Sequence, residues 1–169
     1  MPSDLPEIAV VPDTFEVSAS PVILVAHLKG ALGLCLHDEG RGVGGLLHLR
    51  YASGDDRPAD VTDTILCSVL LVLDKFRKAV LGNHFRPDEV QARVIGQSPP
   101  PAMKSEPTAT IVQLIQADFV DSRIQCGAQI IHREDGVRLC FEPFHGRLWV
   151  SGPGERHGMT AQRRTARRS

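Results

Sequence analysis

The sequence has no run of about 18 apolar residues, so it offers no helix able to cross a membrane. Its opening, MPSDLPEIAVVPD, carries acids and prolines in place of a basic start and an apolar core, so no signal peptide is expected. It has no C-x-x-C pair and no cysteine and histidine at zinc spacing, although four cysteines are present, Cys35, Cys67, Cys126 and Cys140. No metal or cofactor is therefore expected. Buried, unpaired thiols in a reducing cytosol are the expected state, and the protein is placed in the cytoplasm. There is no internal repeat. There is also little net charge, −1 in all, so bulk charge gives no reason to expect nucleic-acid binding.

What is present suits a single soluble domain. The 169 residues are 42% hydrophobic and 23% charged, enough to bury a core without staples. Residues 1–15 are Pro-punctuated and expected to be loose, with one short strand at 8–11. Residues 16–152 form the domain. Residues 153–169 hold Arg156, Arg163, Arg164, Arg167 and Arg168 with almost no apolar side chains, and are expected to be a disordered basic tail. The functional alternative for that tail is a grip on an acidic partner, a membrane surface or RNA.

Between these ends the pattern alternates in kind. Residues 21–27 and 31–37 are β-branched or apolar runs that predict buried strands, with Lys29-Gly30 between them. Residues 42–50 predict a third strand whose glycines imply close backbone approach or a bulge. Ile65, Leu66, Val69, Leu70, Leu73, Phe76 and Val80 fit a helix, capped by Asp60 or Thr62 and ended at Gly82-Asn83. Residues 89–96 alternate as a strand. A triple-proline loop follows, then a second helix with Pro107 in its first turn and Ser105 as N-cap. Residues 123–131, 137–143 and 147–152 predict short strands in antiparallel hairpins. Three strands, helix, strand, helix and three strands make an α+β class, with helices on one side of the sheet layers.

A cysteine nucleophile needs a histidine to take its proton, a group to orient that histidine, and donors for the oxyanion. The segments LVAHLKGALGLCL, HDEG and GVGGLLHL, with G-G-L-L-H at 44–48, carry a resemblance. It continues through ADVTDT, RVIG, IQCGAQ and GRLWV, over about 22–150. In order and spacing the chain resembles the chemoreceptor glutamine deamidase family CheD. The resemblance implies a layered sandwich of mixed and antiparallel sheets with two main helices on one side. It implies hydrolysis of a glutamine side-chain amide, and chemoreceptor cytoplasmic helices or a CheC-like phosphatase as partners. It places His48 at the base position, Ala31 at the nucleophile position and Val25 at the active-site threonine position. Gly30 replaces a serine, and a glycine-rich segment has become QSPPPAM.

A methyl group at position 31 has no lone pair to attack an amide. Cys35 faces the same side of its strand, but about 13 Å away at about 3.3 Å per residue. The resemblance therefore implies a catalytically degenerate homologue that acts by binding a receptor or signalling partner. An active deamidase using Cys35 and His48 is the first alternative, and an unrelated α+β binding module the second. His48 is either a surviving base or a ring that satisfies a nearby backbone group. Asp63 is expected near the helix start, interacting with its dipole. His27 and His37 are expected to be exposed at strand ends, and Lys29-Gly30 to offer a small anion-binding turn. The oligomeric state is left open.

Overall fold

The computed structural model describes residues 4–50, 63–98, 107–153 and 160–162. Among the described residues, ten strands form two five-stranded sheets, and two α-helices pack with them. The first sheet has the order β1-β3-β8-β9-β10, from Glu7–Ala9 (β1), Ile23–Leu28 (β3), Val137–Glu142 (β8), Arg147–Ser151 (β9) and Thr160–Gln162 (β10). The second has the order β2-β5-β4-β6-β7, from Thr14–Ser18 (β2), Val43–Arg50 (β5), Ala31–Asp38 (β4), Val90–Ser98 (β6) and Cys126–His132 (β7). The helices are Asp63–Leu81 (α1) and Pro107–Asp121 (α2). The expected α+β class is the observed one.

The strand patterns explain the layering. Alternate side chains of a strand point to opposite faces. On β4, Leu32, Leu34 and Leu36 join Phe76, Val80, Ile115 and Phe119 of the helices in one core. Ala31 and Cys35 of the same strand instead join Ala26, Leu28, Leu139 and Phe141 of the first sheet in a second core. All eight residues of β4 are buried, which is why it reads as a continuous apolar run. The layers are sheet, sheet and helices. The far face of the first sheet carries a smaller cluster, Ile23, Val25, Cys140 and Trp149.

The two glycines of G-G-L-L-H serve this packing. A Cβ on Gly44 would lie 2.9 Å from the carbonyl oxygens of both Leu36 and Pro143, so the bare backbone lets the first sheet close on β5. On Gly45 it would lie 2.7 Å from Phe76 Cε1, so the gap seats α1. Helix α1 ends where expected. Gly82 takes φ +65 and its N–H donates to the Lys78 carbonyl at 2.9 Å, a left-handed stop that favours glycine.

Several expectations are corrected. The segment 1–15, expected to be loose, contains β1 and the start of β2. Strand β2 had no counterpart among the expected strands, although TFEVS alternates and its Phe15 and Val17 pack on the helix-side core. Part of the tail expected to be disordered forms β10, antiparallel to β9. Strand β7 does not make a hairpin with β8. It pairs parallel with β6 in the other sheet, because α2 carries the chain back across the sheet in a crossover. His37 is buried, not exposed; its Nε2–H donates to the Phe144 carbonyl at 3.2 Å. Cys67 is exposed on α1 and Cys126 is half-buried, whereas Cys35 and Cys140 are buried as expected, and all four are free thiols. Asp60, Thr62 and Ser105 lie outside the described residues, as do the tail arginines.

Candidate functional site

Position 31 opens β4 directly after Gly30, which takes φ +59 at the corner where the chain leaves the first sheet for the second. Ala31 is 0% exposed. It pairs with Arg50 on β5 and with Gln97 on β6, while Gly33 pairs with His48. His48 and Ala31 thus share the inter-sheet face on neighbouring strands, one diagonal step apart, a spacing of roughly 7–8 Å. The structure brings these two together.

His48 is almost wholly buried, and its Nδ1–H donates to the Val10 carbonyl at 3.0 Å. That bond fixes the tautomer and leaves the accepting lone pair on Nε2. Val10 is itself held, its N–H donating to the Val25 carbonyl at 2.8 Å. Below His48, Asp13 takes φ +64 and ties the strand end. Its N–H donates to the His48 carbonyl at 2.7 Å, and its carboxylate accepts from Arg50 Nη2 at 2.8 Å. The Val25 side chain does not join this group; it faces the outer cluster with Cys140 and Trp149.

Burial pushes the His48 pKa below the ordinary histidine value, outweighing the opposing pull of the Val10 bond and of Asp13. The ring is held neutral. Since the unfolded chain binds this proton more readily, the linked stability is complete above the unfolded pKa of about 6.5 and is lost as pH falls below it. His48→Asn keeps a donor for Val10 and removes the titration. Denaturant midpoints at pH 5 and pH 7 should differ more for the parent than for this variant. Equal differences would assign the pH dependence elsewhere.

Cys35 lies on the same face but on the other side of Gly33, opposite Leu46. The space above Gly33 is taken by Leu139 of the first sheet: a Cβ on Gly33 would lie 2.3 Å from Leu139 Cδ2 and 3.4 Å from Leu46 Cδ1. In register Cys35 lies one diagonal step from His48, as Ala31 does on the other side, and Leu139 covers the bare backbone of Gly33 between those two positions. Cys35 borders a small recess with His37, Gln91 and Arg93. It is 3% exposed, and burial drives its thiol pKa far upward against the pull of Arg93. A thiol held protonated in this way is no nucleophile. Iodoacetamide should label native Cys35 at least 100-fold more slowly than the exposed Cys67, read by peptide mass mapping. Comparable rates would mean that the inter-sheet core opens.

Two elements of the site were not among the expected residues. Gln97, 0% exposed, accepts from the Gly30 N–H at 2.6 Å through Oε1, and its Nε2–H donates to the Arg133 carbonyl. The Lys29-Gly30 turn expected to hold an anion thus spends that N–H internally. Val10 orients the histidine through its backbone, which no side-chain pattern announces. Among the described residues, no three His, Cys, Asp or Glu side chains gather as metal ligands. No described helix is long and apolar enough to cross a membrane.

No protein-family model matches the chain, and no curated protein matches its sequence. Among solved structures, the chain is similar to a hypothetical protein YfiH from Bacillus licheniformis, with TM-score 0.43 and 8% identity over 72% of this chain and 51% of that one. It is also similar to YlmD from Geobacillus stearothermophilus, with TM-score 0.40 and 10% identity over 69% of this chain and 50% of that one. The chain spans about half the length of each.

Proposed function

We propose that this chain is a CheD-like signalling protein that binds chemoreceptor cytoplasmic helices, or a CheC-like phosphatase, without hydrolysing an amide. One observation carries the catalytic half of this reading. The position that the resemblance assigns to the nucleophile is a fully buried methyl group, beside a histidine whose ring is held by the Val10 carbonyl. Covalent amide hydrolysis needs a thiolate within about 3 Å of its base. The only thiol on that face, Cys35, is buried, and burial holds it protonated. The partner half of the reading rests on the order and spacing of segments over about 22–150.

The test uses the full chain and a fluorescent helical peptide from a chemoreceptor cytoplasmic region that carries a glutamine. Binding should appear as a saturable rise in anisotropy, with ammonia release indistinguishable from the peptide alone. Ammonia release abolished by Cys35→Ala would replace this reading with an active deamidase. Absence of binding to both the receptor peptide and a CheC-like phosphatase would replace it with an unrelated binding module.

A further inference from the structure

We propose that the outer edge of β7 is a two-fold interface, on which a second copy of this chain lays its own β7 antiparallel about Gln129. Among the described residues, four strands lie at sheet edges. β1 and β10 have three residues each, and β2 has five with Glu16 among them. β7 has seven, CGAQIIH, and none is charged or proline. Its register with β6 runs one to one without a bulge. A long, uncharged edge of this kind is a template for another strand. Gly127, Ala128, Gln129 and His132 are exposed.

The backbone groups of β7 alternate in direction. The Gln125 carbonyl accepts from the Ala92 N–H at 3.3 Å, so the odd-numbered residues turn their N–H and C=O toward β6. Even-numbered residues turn theirs outward. The Cys126 carbonyl is covered by Gln116 of α2, whose Nε2–H donates to it at 3.0 Å. Ala128 and Ile130 carry the outward groups beyond it.

The side chains select the occupant. An antiparallel strand bonds to these groups only in registers that set even-numbered residues opposite one another. The register centred on Gln129 sets Ala128 against Ile130 of the second copy and Gly127 against Ile131, small against large on both faces. It brings the two Gln129 amides together on the axis, where one donates to the other. Beyond the strand, the exposed Arg123 of each copy comes to the turn that holds the exposed Glu134 and Asp135 of the other. Size and charge thus complement each other between two copies of one strand. The axis stands perpendicular to the sheet, so the two second sheets join into one and both α2 helices flank the seam on the same side. Val120, one turn beyond Gln116 on α2 and 69% exposed, lies along that seam.

Sedimentation equilibrium of the full chain, from micromolar to submillimolar concentration, should show a reversible dimer. Gln129→Lys sets like charges on the axis. It should raise the dimer dissociation constant about tenfold or more, with an unchanged far-UV circular dichroism spectrum. Gln129→Cys should form a disulfide between the two substituted positions under mild oxidation, identified by peptide mass mapping. Facing residues of a non-hydrogen-bonded antiparallel pair stand about 4.5 Å apart at Cα, within disulfide reach. This readout holds even if Gln129→Lys does not fold. A monomeric parent would overturn the proposal, as would a dimer that gives no such disulfide or that Gln129→Lys leaves intact. Slow hydrogen exchange of the Ala128 and Ile130 amides in a monomeric parent would assign the edge to another segment of this chain, and would overturn it too. Dimerisation and receptor-peptide binding are read separately, so failure of one leaves the other standing.

Discussion

Phe76→Ala should lower the free energy of unfolding by about 3–5 kcal/mol. Phe76 is fully buried at the centre of the core between the helices and the second sheet. Its ring meets Phe15 of β2 at 5.3 Å between centroids, and its Cε1 lies over the bare backbone of Gly45. Truncation loses the transfer energy of the ring and leaves a cavity that the sheet beneath cannot collapse to fill. It also removes the anchor that joins α1 to the edge strand β2. Urea titration followed by far-UV circular dichroism would read the shift in midpoint. A loss below about 1 kcal/mol would mean that α1 repacks freely. The side chain of His48 faces the opposite core, so a folded Phe76→Ala variant should keep its pH dependence.

Gly44→Val should destabilise the fold by about 3 kcal/mol or prevent it from forming. The new Cβ would stand 2.9 Å from two backbone oxygens, those of Leu36 and Pro143, and neither can rotate away as a side-chain end would. Relief requires separating the first sheet from β5, which opens the inter-sheet core containing Ala31, Cys35 and Leu139. Gly127→Ala is the control. Gly127 is exposed on β7, and a Cβ there meets only Arg93 Nε at 4.0 Å, so its effect should stay within about 0.5 kcal/mol. Denaturant midpoints of the two variants, compared with the parent, decide the matter. Equal tolerance of both would show that the G-G pair is not held by packing.

The segment G-G-L-L-H thus carries two meanings that its letters alone did not separate. Its glycines were legible as close approaches. Which surfaces approach was not, because Pro143 is about 100 residues away along the chain and arrives through the first sheet. His48 was legible as a candidate base at a strand. Its orienting partner was not, because the Val10 carbonyl belongs to a backbone with no side-chain signature. Cys35 was legible as core on spacing alone. The structure adds the reason its thiol stays inert, burial between the two sheets that drives its pKa upward. Gln97 was read only as the start of an altered loop. Its place between two corners depends on β6 lying beside both, a product of pairing across the second sheet.

Some errors share a cause. β1, β2 and β10 are short or lie at sheet edges, and their propensity signal is weak until a neighbouring strand supplies hydrogen bonds. The hairpin expected of β7 and β8 failed because local turn chemistry competes with the crossover helix that precedes β7. The helix returns the chain parallel to β6, and HREDG then has to span two sheets.

By itself the sequence determined the α+β class, a buried strand at 31–37, both helices and the absence of a lone pair at position 31. These follow from periodicity and from chemistry that resides in single residues. Only the tertiary structure decided which backbone groups hold the His48 imidazole and the Gln97 carboxamide. Such meetings are fixed by strand register and sheet stacking, where one residue of slip turns every side chain to the other face.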